Sequence, residues 1–174
     1  MKKIFSASLI IISFSLTSIY AQKSEIIVSS NQNSTSITST ESNKKNLKVV
    51  ASYFEYLFKT GDFSSMQKII SKDAIYSQAE GLPYGGTYIG FDGMVQMFTK
   101  AQGYFNLQIV GEPVYFTSSN PDEVIIHFTI KCKSKSSNNE ITMPIAEYFE
   151  VKNGVIISIR PFYFDTKAFT DFLK

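Results

Sequence analysis

The sequence predicts an α+β fold in which helices come first and a long, mainly antiparallel sheet follows. From Leu47 to Phe98 apolar residues recur every three or four positions, the period of helices with one buried face; from Asn106 onward they alternate with polar ones, the period of strands. Helices gathered ahead of the strands, not interleaved with them, separate this class from alternating α/β folds. The dipeptide Asn153-Gly154, whose residues both tolerate positive φ, marks a two-residue hairpin between the last two strands.

Each element follows in order. Leu47, Val50, Phe54, Leu57 and Phe58 share one helical face, and Gly61 ends that helix. Asp62 is placed to cap a short second helix carrying Phe63, Met66, Ile69 and Ile70. Residues 73–78 read as a short strand, and the glycine-rich stretch 81–93 leads to a third helix capped by Asp92, with Met94, Met97 and Phe98 inward. Strands are expected over 106–118, 123–134, 141–151 and 155–164, and Asp165 caps a last helical turn with Phe169 and Phe172. A two-residue turn at 153–154 pairs residues whose numbers sum to 307, which sets Glu147 opposite Arg160 and Ala146 opposite Pro161 unless a bulge shifts the register. Three helices against a curved sheet make a half-cone with one open end, where a ligand site would form.

The 174 residues divide into a leader, a tether and one domain. Residues 1–21 carry Lys2 and Lys3, an apolar run and a small residue at Ala21, the pattern of a secretory signal peptide, which predicts export to the periplasm or the medium; the run is short for a membrane span, and a retained anchor is the alternative. Residues 22–45 hold 15 Ser, Thr, Asn or Gln in 24 positions, too polar to bury a core, and read as a flexible tether. The domain then occupies 46–174. Without Lys2 and Lys3, 15 basic residues balance 15 acidic ones, so the mature chain lacks the positive footprint of a nucleic-acid binder. One cysteine, Cys132, and one histidine, His127, argue against an internal disulfide and against a metal centre. No cofactor motif is present: Gly85-Gly86-Thr87-Tyr88-Ile89-Gly90 is neither G-x-G-x-x-G nor a phosphate loop with its lysine.

Several stretches together resemble the SnoaL-like group of the nuclear transport factor 2-like superfamily, whose fold is a cystatin-like roll. They are Tyr53-Phe54, Gly61-Asp62, Lys72-Asp73-Ala74, the run from Pro83 to Gly90, and Ala146 to Gly154 running on to Ile159-Arg160-Pro161-Phe162-Tyr163-Phe164-Asp165. The resemblance covers the whole domain and implies the fold more firmly than any activity, because one fold hosts many functions. It implies a homodimer through the outer sheet face and a pocket in the cone. It also permits a comparison with ketosteroid isomerases, which use a carboxylate base and an oxyanion hole of a tyrosine and a protonated acid. Carried onto this chain, the base falls at Gln78, the tyrosine at Phe54 and the acid at Ala146, so that set is not reproduced.

Candidate site residues follow. Tyr76, Tyr84, Tyr88, Tyr148 and Tyr163 are pocket-lining tyrosines by strand position and by the resemblance, with rim packing as the alternative for Tyr84 and Tyr88 and core packing for Tyr76. His127 is the one histidine, a residue type suited to general-base work, and is the candidate general base, the alternative being an outward histidine on the sheet. Glu147 and Arg160 are read as a structural or interface pair facing away from the cone, while Pro144, Ala146, Tyr148, Ile159, Pro161 and Tyr163 face into it. The function expected is a pocket for a small apolar or weakly polar molecule, with cofactor-free isomerase, dehydratase or cyclase chemistry; the alternative is a non-catalytic dimeric binding module.

Overall fold

Val50, Tyr53, Phe54 and Leu57 fall on one helical face, and burying that face needs a sheet to receive it. In the computed structural model, which describes residues 41–174, they lie on helix α1 (Glu41–Glu55) and the single wide π turn that extends it (Tyr56–Thr60). Helix α2 (Phe63–Lys68) follows, then strands β1 (Ile70–Gln78) and β2 (Gly86–Ile89), helix α3 (Gly90–Gln102), strands β3 (Phe105–Thr117), β4 (Glu123–Ser134), β5 (Glu140–Lys152) and β6 (Val155–Tyr163), and helix α4 (Thr166–Phe172). The leader and most of the tether lie outside the described residues. Helix α1 starts at Glu41 and so takes in 41–45, which the sequence reading gave to the tether. Buried Asn46 ties the helix down: its Nδ2 donates to the carbonyls of Pro121 (2.8 Å), in the β3–β4 loop, and Val151 (3.2 Å), near the end of β5.

The six strands form one sheet in the order β2-β1-β6-β5-β4-β3, antiparallel except for the β1–β6 pair. Its inner face and the helices enclose a core rich in aromatic rings. Phe54 meets Phe128 edge-on at 5.2 Å, and Tyr53 meets Phe149 at 5.2 Å, which pins α1 across β4 and β5.

Local chemistry explains most boundaries. Gly61 takes the left-handed conformation (φ 66°) that closes α1, and Asp62 caps α2 by accepting from Ser65 N at 3.0 Å. Asp165 caps α4 in the same way, from Ala168 N at 2.8 Å. Asp92 is not a cap: α3 begins at Gly90, and Asp92 sits in its first turn, where its charge still suits the helix dipole. Ile70 belongs to β1, not to α2. The glycine-rich stretch contains a short strand, β2, that periodicity did not reveal. Gly90 is required where it stands: φ is +66°, and a Cβ there would come within 2.5 Å of the Lys72 carbonyl oxygen.

One residue decides which β6 side chains face inward. Next to the turn, Lys152 pairs with Val155 and Val151 with Ile156, as the count of 307 requires. Beyond that, Glu150 pairs with Ser158, so Ile157 is an extra residue, a β-bulge, and every later pair is shifted by one. Glu147 therefore lies opposite Pro161, and Arg160 lies opposite Tyr148. A shift of one residue exchanges the faces. Ile159 and Pro161 are buried as expected, but their partners on the inner face are Phe149 and Glu147, while Pro144, Ala146 and Tyr148 turn outward.

Candidate functional site

The inner sheet face carries an unusual share of polar groups. From β1 come Tyr76 and Gln78, from the segment before β2 Tyr84, from β6 Tyr163, from β5 Glu147 and from α1 Tyr53; all but Tyr163 are buried. Four of them form a chain. Tyr84 Oη lies 3.2 Å from Tyr163 Oη, the Tyr163 hydroxyl donates to Gln78 Oε1 at 3.3 Å, and Gln78 Nε2 donates to Tyr76 Oη at 3.3 Å. Each hydrogen bond satisfies a group that would otherwise be costly to bury. Tyr163 also stacks on Phe169 of α4 at 4.8 Å, so α4 holds that end of the chain in place.

Two further buried groups, outside this hydrogen-bond chain, stay unpaired. Neither Tyr53 Oη nor Glu147 Oε2 has a hydrogen-bond partner, although both residues are buried. Burial holds the Glu147 carboxyl well above its ordinary value, at about 8, so it is largely protonated at pH 7. The phenols of Tyr53 and Tyr76 are pushed up by burial first and by the neighbouring Glu147 second, which shows that all three groups share one environment. Tyr163 is raised by burial too, with Glu147 adding to it. An unpaired buried polar group costs about 1–3 kcal/mol. Proteins keep such groups where they serve binding or chemistry more often than where they serve the fold.

The sequence-derived residues thus separate into two sets. Tyr76, Tyr84, Tyr88 and Tyr163 are on the inner side, Tyr88 donating to the Tyr84 carbonyl at 2.9 Å with Lys100 Nζ 5.1 Å above its ring. His127 and Tyr148 are not. On β4 the even residues Val124, Ile126, Phe128, Ile130 and Cys132 are buried, so His127 is turned to solvent between Val114 and Ala146 on the outer face and cannot act as a base inside the cone. Tyr148 lies on the same outer face, its hydroxyl donating to Glu150 Oε1 at 3.2 Å. Glu147 and Arg160 are not a pair: Glu147 is inside, Arg160 outside and exposed. Tyr53, Gln78 and the inward Glu147 were missed. A signal for the last was present, because the odd residues of β5, Ile141, Met143, Ile145, Phe149 and Val151, are all large and apolar except 147. Among the described residues no three His, Cys, Asp or Glu side chains converge as a metal centre would need, and no helix is long and apolar enough to cross a membrane.

No family model matches the sequence, and no curated protein matches it. Solved structures do. A nuclear transport factor 2-like protein from Burkholderia xenovorans LB400 superposes with a TM-score of 0.67 at 18% identity, covering 75% of this chain and 97% of that one. A candidate polyketide cyclase from Xanthomonas campestris pv. campestris gives 0.63 at 14% identity, over 76% and 99%. TerC, crystallised with polyporic acid, gives 0.64 at 15% identity, over 74% and 98%. Identities this low speak to architecture alone, and on that ground the domain has the nuclear transport factor 2-like fold.

Proposed function

We propose that this is an exported small-molecule-binding protein whose ligand lies in the cone against Tyr53 and Glu147. The observation that carries the reading is the pair of buried, unpartnered polar atoms, Tyr53 Oη and Glu147 Oε2, in an interior whose other phenols and amide are hydrogen-bonded. The surrounding rings and Met97 make the rest of the site apolar. The polyketide cyclase names among the structural neighbours and the polyporic acid crystallised with TerC support a small-molecule ligand. The leader and polar tether of the sequence support export. Acid/base chemistry in such a site centres on Glu147 and not on His127. A carboxyl group that titrates near 8 takes and returns protons at neutral pH, as isomerisation, dehydration or cyclisation without a cofactor requires.

A thermal-shift screen against sterols, lipids, polyketides and aromatic acids tests this reading. A ligand that raises the midpoint for the wild type and for His127→Ala, but not for Tyr53→Phe or Glu147→Gln, supports it. A hit that survives both inner substitutions sinks it.

A second copy of the chain is the proposed partner on the outer face. Val114, Phe116 and Phe162 are 51%, 52% and 54% exposed there, an apolar surface that solvent alone would cover poorly. Along β4 the outward residues run Glu123, Ile125, His127, Thr129, Lys131. A two-fold axis through His127 sets Glu123 of one copy over Lys131 of the other, so the face complements itself. Sedimentation of the wild type and of Phe162→Asp reads the outcome; a wild type that stays monomeric at high micromolar concentration removes the dimer.

A further inference from the structure

The surroundings of Glu147 define the polar end of the ligand, on the premise that the cone interior is the binding site. Its neighbours come from every side. Ile126 of β4 and Pro161 of β6 flank it across the sheet, and Ile145 and Phe149 lie on its own strand. The titratable groups coupled to it are phenols: Tyr53 from α1, Tyr76 from β1 and Tyr163 from β6. Burial lifts the Cys132 thiol of β4 to about 12, so it is neutral as well. Among the described residues no Lys, Arg or His is buried, and the ion pairs are all on the surface and leave Glu147 out.

This interior therefore offers one carboxyl group, phenol oxygens and ring faces, with no cationic group to answer them. Tyr53 packs against Phe149 at 5.2 Å, and Tyr76 against Phe98 at 5.9 Å. A carboxylate without a counter-charge in such a place is costly, and a ligand that brings the missing charge recovers that cost. Aromatic faces add attraction for a cation. An anionic ligand would meet a carboxyl group and no positive partner.

We propose that the cone selects apolar molecules bearing a protonated primary or secondary amine, with the ammonium N–H groups donating to Glu147 and to the phenol oxygens of Tyr53 and Tyr76. Glu147 gives up its proton as such a ligand enters, so binding and proton release are coupled.

Titration calorimetry of the full chain with two matched probes, 1-naphthylmethylamine and 1-naphthylmethanol, tests the assignment. The amine is expected to bind at least about tenfold more tightly than the alcohol at pH 8.5. Between pH 6 and 7.5 its affinity is expected to rise by up to about tenfold per pH unit, because only the ionised carboxylate accepts it. Glu147→Gln removes both the preference and the pH slope. The slope is read on the wild type, so the test stands even where the variant folds poorly. An alcohol that binds as well as the amine, or an amine affinity that falls with rising pH, overturns the amine assignment and leaves the cone as the binding site. No heat from either probe at millimolar concentration overturns both.

Discussion

Glu147→Gln isolates the energetic cost of keeping a carboxyl group inside this core. In the folded chain the group titrates at about 8 and in the unfolded chain near its ordinary 4.5, so between those values the folded state holds a proton that the unfolded state has released. Stability must then fall as pH rises, by about 1.4 kcal/mol per pH unit for one proton. Below pH 4.5 the contribution is fully present; by pH 8 it is lost, a change on the order of 5 kcal/mol across the window. Glutamine has the shape of the protonated acid and does not titrate. Near pH 5 the variant and the wild type should differ little, and near pH 8.5 the variant should be the more stable.

Urea denaturation at pH 5.5, 7.0 and 8.5, followed by far-UV circular dichroism, reads this directly. All other ionisable groups are common to both proteins and cancel in the difference. From pH 5.5 to 8.5 the gap in unfolding free energy should widen by about 3 kcal/mol in favour of Glu147→Gln. Equal m-values are needed for the comparison, since a changed m would signal a changed unfolded or native ensemble. Parallel pH profiles would refute the reasoning: they would mean that Glu147 is hydrated or paired in the folded protein and that the interior is not the low-dielectric place described above.

Three further outcomes are expected. Gly90→Ala should lower stability by about 1–3 kcal/mol, because alanine is strained at φ +66° and its Cβ meets the Lys72 carbonyl; thermal melts check it. Asp165→Ala should cost about 1 kcal/mol through the lost α4 cap, and, since α4 carries Phe169 against Tyr163, amide exchange should speed up in β6 near Tyr163 as well as in α4. Cys132, fully buried and with its thiol lifted to about 12, should resist a thiol reagent such as DTNB in the folded protein at pH 8 and react within minutes in urea; fast reaction without denaturant would contradict its placement.

Much of this was legible in the chain itself. Helical period, then strand period, then the Asn153-Gly154 turn were sufficient for the class of fold and nearly all its elements, because each rests on local patterning that the core simply satisfies. Two things were not legible. Strand β2 is four residues long and glycine-led, too short for a period to show, and it exists only because β1 offers it an edge. The pairing of β5 with β6 depended on one bulged residue, Ile157, with nothing in its identity to announce it. The resemblance placed Ile159, Pro161 and Tyr163 of β6 on the correct face, and the count from the turn assigned their β5 partners wrongly by one.

That single residue changes what the site is. With an unbroken register β5 would still turn Ile145, Glu147 and Phe149 inward, since Val151 and Ile156 are both buried before the bulge, but β6 would set Arg160 opposite Glu147. With the bulge β6 turns Ile159 and Pro161 inward and Arg160 outward, and the one carboxyl group of the described core is left without a cation. Tyr53 stands inside beside Phe54, which packs on Phe128, and Gln78 is occupied with Tyr163 and Tyr76. On the reading proposed above, a polar pair beside an engaged amide is suited first to holding a ligand. Any turnover it achieves must use Glu147 for both the outgoing and the returning proton.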